Sequence, residues 1–157
     1  MKREVVSIYV ENKANVLTRV VSLYGRRGFN IDSLTVSATN DPDISRITIA
    51  FEGDNLTLQQ IVAQTEKLEV VRSIKTLGNV DSFFRELLMV KIKADKQIRS
   101  EIKEIVDIYR AKIIYLTQEE MVLELTGSPD KLDAFMNMLG DYEITDICRT
   151  GVTGIEK

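Results

Sequence analysis

The chain has 157 residues, 44% of them hydrophobic and 29% charged, with 21 Lys+Arg against 24 Asp+Glu and a formal net charge of -3. Its apolar share suits a folded protein rather than a disordered one, and its length suits one ordinary domain or two small ones, since domains commonly run to about 100–150 residues. With no His and a single Cys, the chain excludes His-ligated metal, Ser-His and Cys-His catalysis, an intrachain disulfide and a zinc knuckle, and its acidic balance lacks the basic excess of a nucleic-acid binder. The lone Cys148 fits a reducing cytoplasm. The apolar run over 5–10 is too short for a signal-peptide core and has no small-residue cleavage site after it, and no stretch approaches the roughly 20 apolar residues of a membrane span. The expectation is a soluble cytoplasmic protein without a membrane anchor.

In chain order, Val6, Ile8 and Val10 alternate with Ser7 and Tyr9, which predicts a strand. Val16, Leu17, Val20, Val21, Leu23 and Tyr24 then follow helix period; Arg26 and Arg27 suit the negative end of the helix dipole, and Gly28 is a stop signal. Leu34, Val36 and Ala38 alternate, Asn40-Asp41-Pro42-Asp43 marks a turn, and Ile47, Ile49 and Phe51 alternate again, so a hairpin is predicted. Leu58, Ile61, Val62, Thr65 and Leu68 predict a second helix, and 70–77 a fourth strand.

The same order then repeats. Leu88, Val90, Ile92 and Ala94 read as a strand, Ile98, Ile102, Ile105, Val106 and Tyr109 as a helix face, and 111–116 and the Met121, Leu123, Leu125 alternation as two more strands. Ser128-Pro129 is a helix start with Ser as N-cap and Pro at the first helical position; Leu132, Phe135, Met136 and Leu139 form its buried stripe, Gly140 ends it, and 142–148 is the last predicted strand. The simplest account is an α+β chain of two tandem ferredoxin-like βαββαβ sandwiches, 1–78 and 79–157, joined at the turn-forming Gly78-Asn79. Units this small bury only about 60–65% of their unfolded surface, and a sheet edge invites pairing, so a homodimer built by sheet extension is expected. The first half holds 10 basic and 9 acidic groups, the second 11 and 15.

Two segments could hold a ligand. Glu11-Asn12-Lys13-Ala14-Asn15-Val16-Leu17 links the first strand to the first helix, whose unpaired N–H groups and positive dipole end suit a carboxylate. Asn12 offers a donor and an acceptor beside it; Asn15 can serve as N-cap or take the left-handed conformation. Both are equally at home as plain turn and cap residues. The second segment, Gly28-Phe29-Asn30-Ile31, opens the second strand, and in a dimer it can face the partner's first helix start, so that Asn12 and Asn30 converge. Amides beside a helix start suit a zwitterionic amino acid, and Val16, Leu17 and Ile31 would favour an aliphatic side chain. Elsewhere the bland readings prevail. Asp41 and Asp43 are solvated turn residues, and Gly25-Arg26-Arg27-Gly28 follows a helix, the wrong order for a phosphate loop. Lys91 and Lys93 line a solvated sheet face, and Cys148 is a small packing residue. No catalytic residue and no metal site emerge.

The segments ENKANVLTRV, RRGFNIDSLTV and DPDISRITI, followed by FFRELLMVKIKA, EIVDIYRAKII, LELTGSPDKLDAF and ICRTGVTGI, resemble the small regulatory subunit of acetolactate synthase (acetohydroxyacid synthase) along essentially the whole chain. The resemblance implies an N-terminal, dimerising ACT domain over 1–78 and a C-terminal domain of similar topology over 79–157. It also implies a separate catalytic subunit that holds thiamine diphosphate, a divalent metal such as Mg and FAD, so this chain would carry no cofactor and no catalysis. The implied role is to stimulate that partner and to confer feedback inhibition by a branched-chain amino acid, usually valine, in valine, leucine and isoleucine biosynthesis. Carried onto this sequence, Asn12, Asn15, Val16 and Leu17 of one chain and Asn30 and Ile31 of the other would hold the effector. Family members have glycine just before the helix where this chain has Asn15. The added bulk predicts feedback that is weakened, altered in effector preference or absent. A stand-alone tandem-ACT sensor serving another enzyme is the alternative. RNA binding, known on the same topology, needs aromatic residues on the central strands, and Ile47-Thr48-Ile49-Ala50-Phe51 offers no such platform.

Overall fold

The computed structural model describes residues 2–157. The elements run β1 (Lys2–Glu11), α1 (Val16–Arg26), β2 (Ser33–Ala38), β3 (Ile44–Gly53), α2 (Asn55–Glu66), β4 (Val71–Thr76), β5 (Ser82–Lys93), α3 (Lys96–Tyr109), β6 (Lys112–Leu116), β7 (Glu120–Gly127), α4 (Pro129–Met138), β8 (Ile144–Arg149) and β9 (Thr153–Glu156). The repeated βαββαβ order is therefore present, with antiparallel sheets ordered β2-β3-β1-β4 and β6-β7-β5-β8. Among the described residues no helix is long and apolar enough to cross a membrane.

Two compact units result. The first comprises the described residues up to Phe83 together with Gly151–Lys157, and the second Phe84–Thr150. The sequence places all of 79–157 in the second half, yet 79–83 and the last seven residues belong to the first unit. The partners of Val152 lie 117 and 119 residues away in the chain, beyond the reach of local pattern.

In the first unit, period-2 alternation sends Val6, Ile8, Ile47, Ile49 and Phe51 to one face of the sheet. Val16, Val20 and Tyr24, at successive i,i+4 positions of α1, and Ile61 of α2 are buried in the same core, as an amphipathic helix requires. On the opposite face Ser7 pairs with Thr48 and with Lys75, and Thr35 with Thr48. Ser7 and Thr48 are buried there as well.

The second unit repeats the plan with Leu88, Val90, Ile92 and Leu123 under Ile102, Val106, Leu132 and Phe135. Three helices begin on side-chain caps: Asp54 accepts from the Thr57 N–H, Asp95 from Ile98 and Ser128 from Lys131, each satisfying a donor that the helix itself leaves unpaired. Cys148 departs from expectation. It is exposed rather than packed, because β8 is the edge strand of its sheet and Thr145 to Cys148 are all open to solvent.

Candidate functional site at the first helix start

The link between β1 and α1 is shaped mainly by its backbone. The Glu11 N–H donates to the Val70 carbonyl at 3.0 Å, and the Asn12 N–H to the Asp43 carbonyl at 2.8 Å. The Asn12 side chain donates through Nδ2 to the Pro42 carbonyl at 2.9 Å. Asn12 therefore ties this loop to the β2–β3 turn, which leaves its Oδ1 as the side-chain group able to accept from a ligand.

Asn15 takes the left-handed conformation, φ 67° and ψ -1°, and makes no side-chain cap bond. Of the two roles open to it from sequence, it thus adopts the conformational one. Such backbone is costly for residues with a Cβ, and Asn is among the few that tolerate it. The consequence is chemical. The other three helices spend a side-chain oxygen on their first turn, whereas α1 keeps its first N–H groups for another acceptor, at the positive end of its dipole.

An open cleft of about 570 Å³ lies against this helix start, lined among others by Glu11, Lys13, Asn15, Val16, Arg19 and Glu69. Val16, in its lining, is buried. Glu11 accepts from Arg72 Nη2 at 2.8 Å and pairs with Lys13 Nζ at 3.1 Å. The hydrogen bond and charge of Lys13, with lesser help from Arg72 and Arg19, hold its carboxyl below the ordinary glutamate value against the opposing effect of burial. The lining thus carries Lys13 and Arg19 as well as Glu11 and Glu69, beside a helix start that no side chain caps.

Of the six residues singled out in the sequence, Asn15 and Val16 line this cleft, while Asn12, Leu17, Asn30 and Ile31 lie outside its lining. Leu17 is half exposed on the first turn of α1. Asn30 is exposed in the α1–β2 loop, and Ile31 packs partly on the core. That loop is held by Gly28, at φ 72°, by the Phe29 N–H donating to the Tyr24 carbonyl at 3.1 Å, and by the Asp32 N–H donating to the Ala50 carbonyl at 2.9 Å. Sequence reasoning singled out the segment over 11–17 without giving Glu11 or Lys13 a role, and it missed Arg19 and Glu69. Arg19 was findable, four residues after Asn15 and so on the same side of α1; Glu69 arrives from the α2–β4 turn and leaves no local signal. Among the described residues no group of three His, Cys, Asp or Glu side chains could hold a metal ion.

Comparison with known proteins matches both units. A profile described as an AHAS small subunit-like ACT domain covers residues 6–73, and one described as the small subunit of acetolactate synthase covers 85–157. The acetolactate synthase isozyme 3 small subunit of Salmonella typhimurium is 40% identical over 99% of this chain and 96% of its own length. The acetolactate synthase small subunit of Mycolicibacterium smegmatis is 41% identical over 96% and 89%. The crystal structure of the acetolactate synthase small subunit from Thermotoga maritima superposes with a TM-score of 0.88 at 34% identity, covering 100% of this chain and 98% of that one. With both units matched and the fold shared end to end, the chain belongs to the family of acetolactate synthase small subunits.

Proposed function

We propose that this chain is the regulatory subunit of an acetolactate synthase. It binds a separate catalytic subunit, raises that subunit's activity, and makes it answer to a branched-chain amino acid, valine in the first instance. Thiamine diphosphate, the divalent metal and FAD belong to the partner; this chain's residues bind an effector and transmit its presence. The end-to-end likeness to small subunits supports the partnership, and the uncapped start of α1 carries the effector reading.

In this reading the effector carboxylate accepts from the first N–H groups of α1, near Arg19 and Lys13, while its ammonium turns toward Glu11 and Glu69 and its aliphatic side chain toward Val16. Dimerisation in the cytoplasm through an edge strand of the first sheet brings Asn30 and Ile31 of the partner copy to the open side of the cleft, beside Asn12 and Leu17. The free edges of β2 and β4 are suited to such pairing. An effector that prefers one arrangement of the dimer shifts the population of the whole complex toward it, with a coupling of about 1–3 kcal/mol.

The test uses the purified catalytic subunit with and without this chain. Stimulation is expected, and unchanged activity refutes the regulatory reading. Calorimetry with valine on the wild type and on Asn15→Gly then addresses the site: tighter binding in the variant supports it, and no binding to either removes the effector claim while leaving the stimulation intact.

A further inference from the structure

The C-terminal segment crosses the face of the first sheet that no helix covers. Gly151 sits at φ +86°, and a Cβ there would stand 3.0 Å from Ser33 Cβ and 3.5 Å from the Leu34 nitrogen, so both the backbone and the close approach require glycine. Next along, the Val152 N–H donates to Ser33 Oγ at 3.2 Å, and Thr35 Oγ1 donates to the Val152 carbonyl at 3.3 Å. Arg46 donates through Nη2 to the Gly154 carbonyl and through Nε to Ser7 Oγ at 2.8 Å. Lys75 Nζ reaches Glu156 Oε2 at 2.8 Å. The segment therefore braces β2, β3 and β4 in turn. Val152, 1% exposed, is its buried anchor. The Lys75–Glu156 pair is exposed and adds little.

The position of the anchor is telling. Ser33 lies two residues after Ile31, at the end of the loop that presents Asn30 and Ile31. We propose that Gly151–Lys157 is a positioning element of the amino-acid site, which fixes this loop through Ser33 and Thr35 and so makes the site depend on both ends of the chain. This rests on the reading of Asn30 and Ile31 as effector-binding residues. The strap itself touches no effector. It adds a restraint at the β2 end of the loop to the backbone bonds of Phe29 and Asp32, and so leaves less ordering to be done at the expense of binding.

The experiment compares the full chain, a variant ending at Thr150, Gly151→Ala, and Ile108→Ser as a distal control, since Ile108 is 74% exposed and lies in the second unit. Amide exchange is followed by mass spectrometry, and valine binding by calorimetry. In the truncated chain and in Gly151→Ala, exchange over residues 28–35 is expected to rise at least about tenfold while the α1 and β1 amides keep their protection, and valine binding is expected to weaken about tenfold. The control should match the wild type. Unchanged exchange over 28–35 overturns the proposal, and so does a uniform rise across the first unit, which would mark a merely structural role. A wild type that binds no branched-chain amino acid overturns the effector reading of the loop, while the exchange arm still decides whether the strap fixes it.

Discussion

Asn15 permits a direct separation of two physical effects that normally coincide at a helix N-terminus. A residue there can act by capping with its side chain or by accepting a particular backbone conformation. Asn15 has φ 67° and no cap bond, so its contribution is conformational. Serine is an equally good cap but a poor left-handed residue. Asn15→Ser is therefore expected to destabilise the first unit by about 1 kcal/mol, the lower end of the left-handed penalty for a side chain with a Cβ. Asn15→Gly should be nearly neutral, because relief of strain is offset by about 0.4–1 kcal/mol of added freedom in the unfolded chain. For a unit of this size 1 kcal/mol moves the midpoint by about 4–8 °C. Thermal unfolding followed by circular dichroism reads both variants, with exchange of the α1 amides identifying the unit that loosens. A serine variant that melts with the wild type would refute the conformational account and restore Asn15 as a cap. It would also return the first N–H groups of α1 to an internal acceptor and weaken the case for a ligand there.

Other expectations concern each unit separately. Phe135 is fully buried, with its ring 5.3 Å from that of Tyr109; Phe135→Ala should cost the second unit about 3–5 kcal/mol in urea unfolding, and a loss under 1 kcal/mol would contradict the packing. Arg149 bridges the buried Glu86 and Asp133. Arg149→Met should cost about 3 kcal/mol by stranding the Glu86 carboxylate, and adding Glu86→Gln should recover most of it; a double variant no better than the single would show that the arginine acts by packing alone. Burial raises the Tyr24 hydroxyl above the ordinary tyrosine value, with only a partial opposing effect from its hydrogen bond to Thr65. The unfolded chain loses that proton at about pH 10 while the folded one keeps it, so this contribution is complete below pH 10 and is lost as pH rises beyond it. Tyr24→Phe should therefore show a shallower alkaline decline in its urea midpoint than the wild type, and parallel profiles would refute the assignment.

Much of this molecule was written in local pattern. The alternation of Val6, Ile8 and Val10, the helical spacing of Val16, Val20 and Tyr24, and the Ser128-Pro129 start each state a period or a cap within a few residues, and the doubled βαββαβ order follows from reading them in sequence. The left-handed start of α1 was also legible, as one of the two roles that Asn15 could take there. Three features were decided only by tertiary structure. Cys148 is exposed because β8 became an edge, which no alternation reveals. The cleft acquired Glu69 from a turn more than one element away, and with it the second carboxylate facing the helix start. Finally, the ending RTGVTGI has no strong period of its own. Its meaning comes from Ser33, Thr35 and Arg46, more than 100 residues distant, and only a folded sheet with an uncovered polar face could give those small residues and glycines a place to lie. The composition that opened the problem left the chain without His chemistry; the two sandwiches were legible in local pattern, and the fold laid the end of the chain across the first sheet.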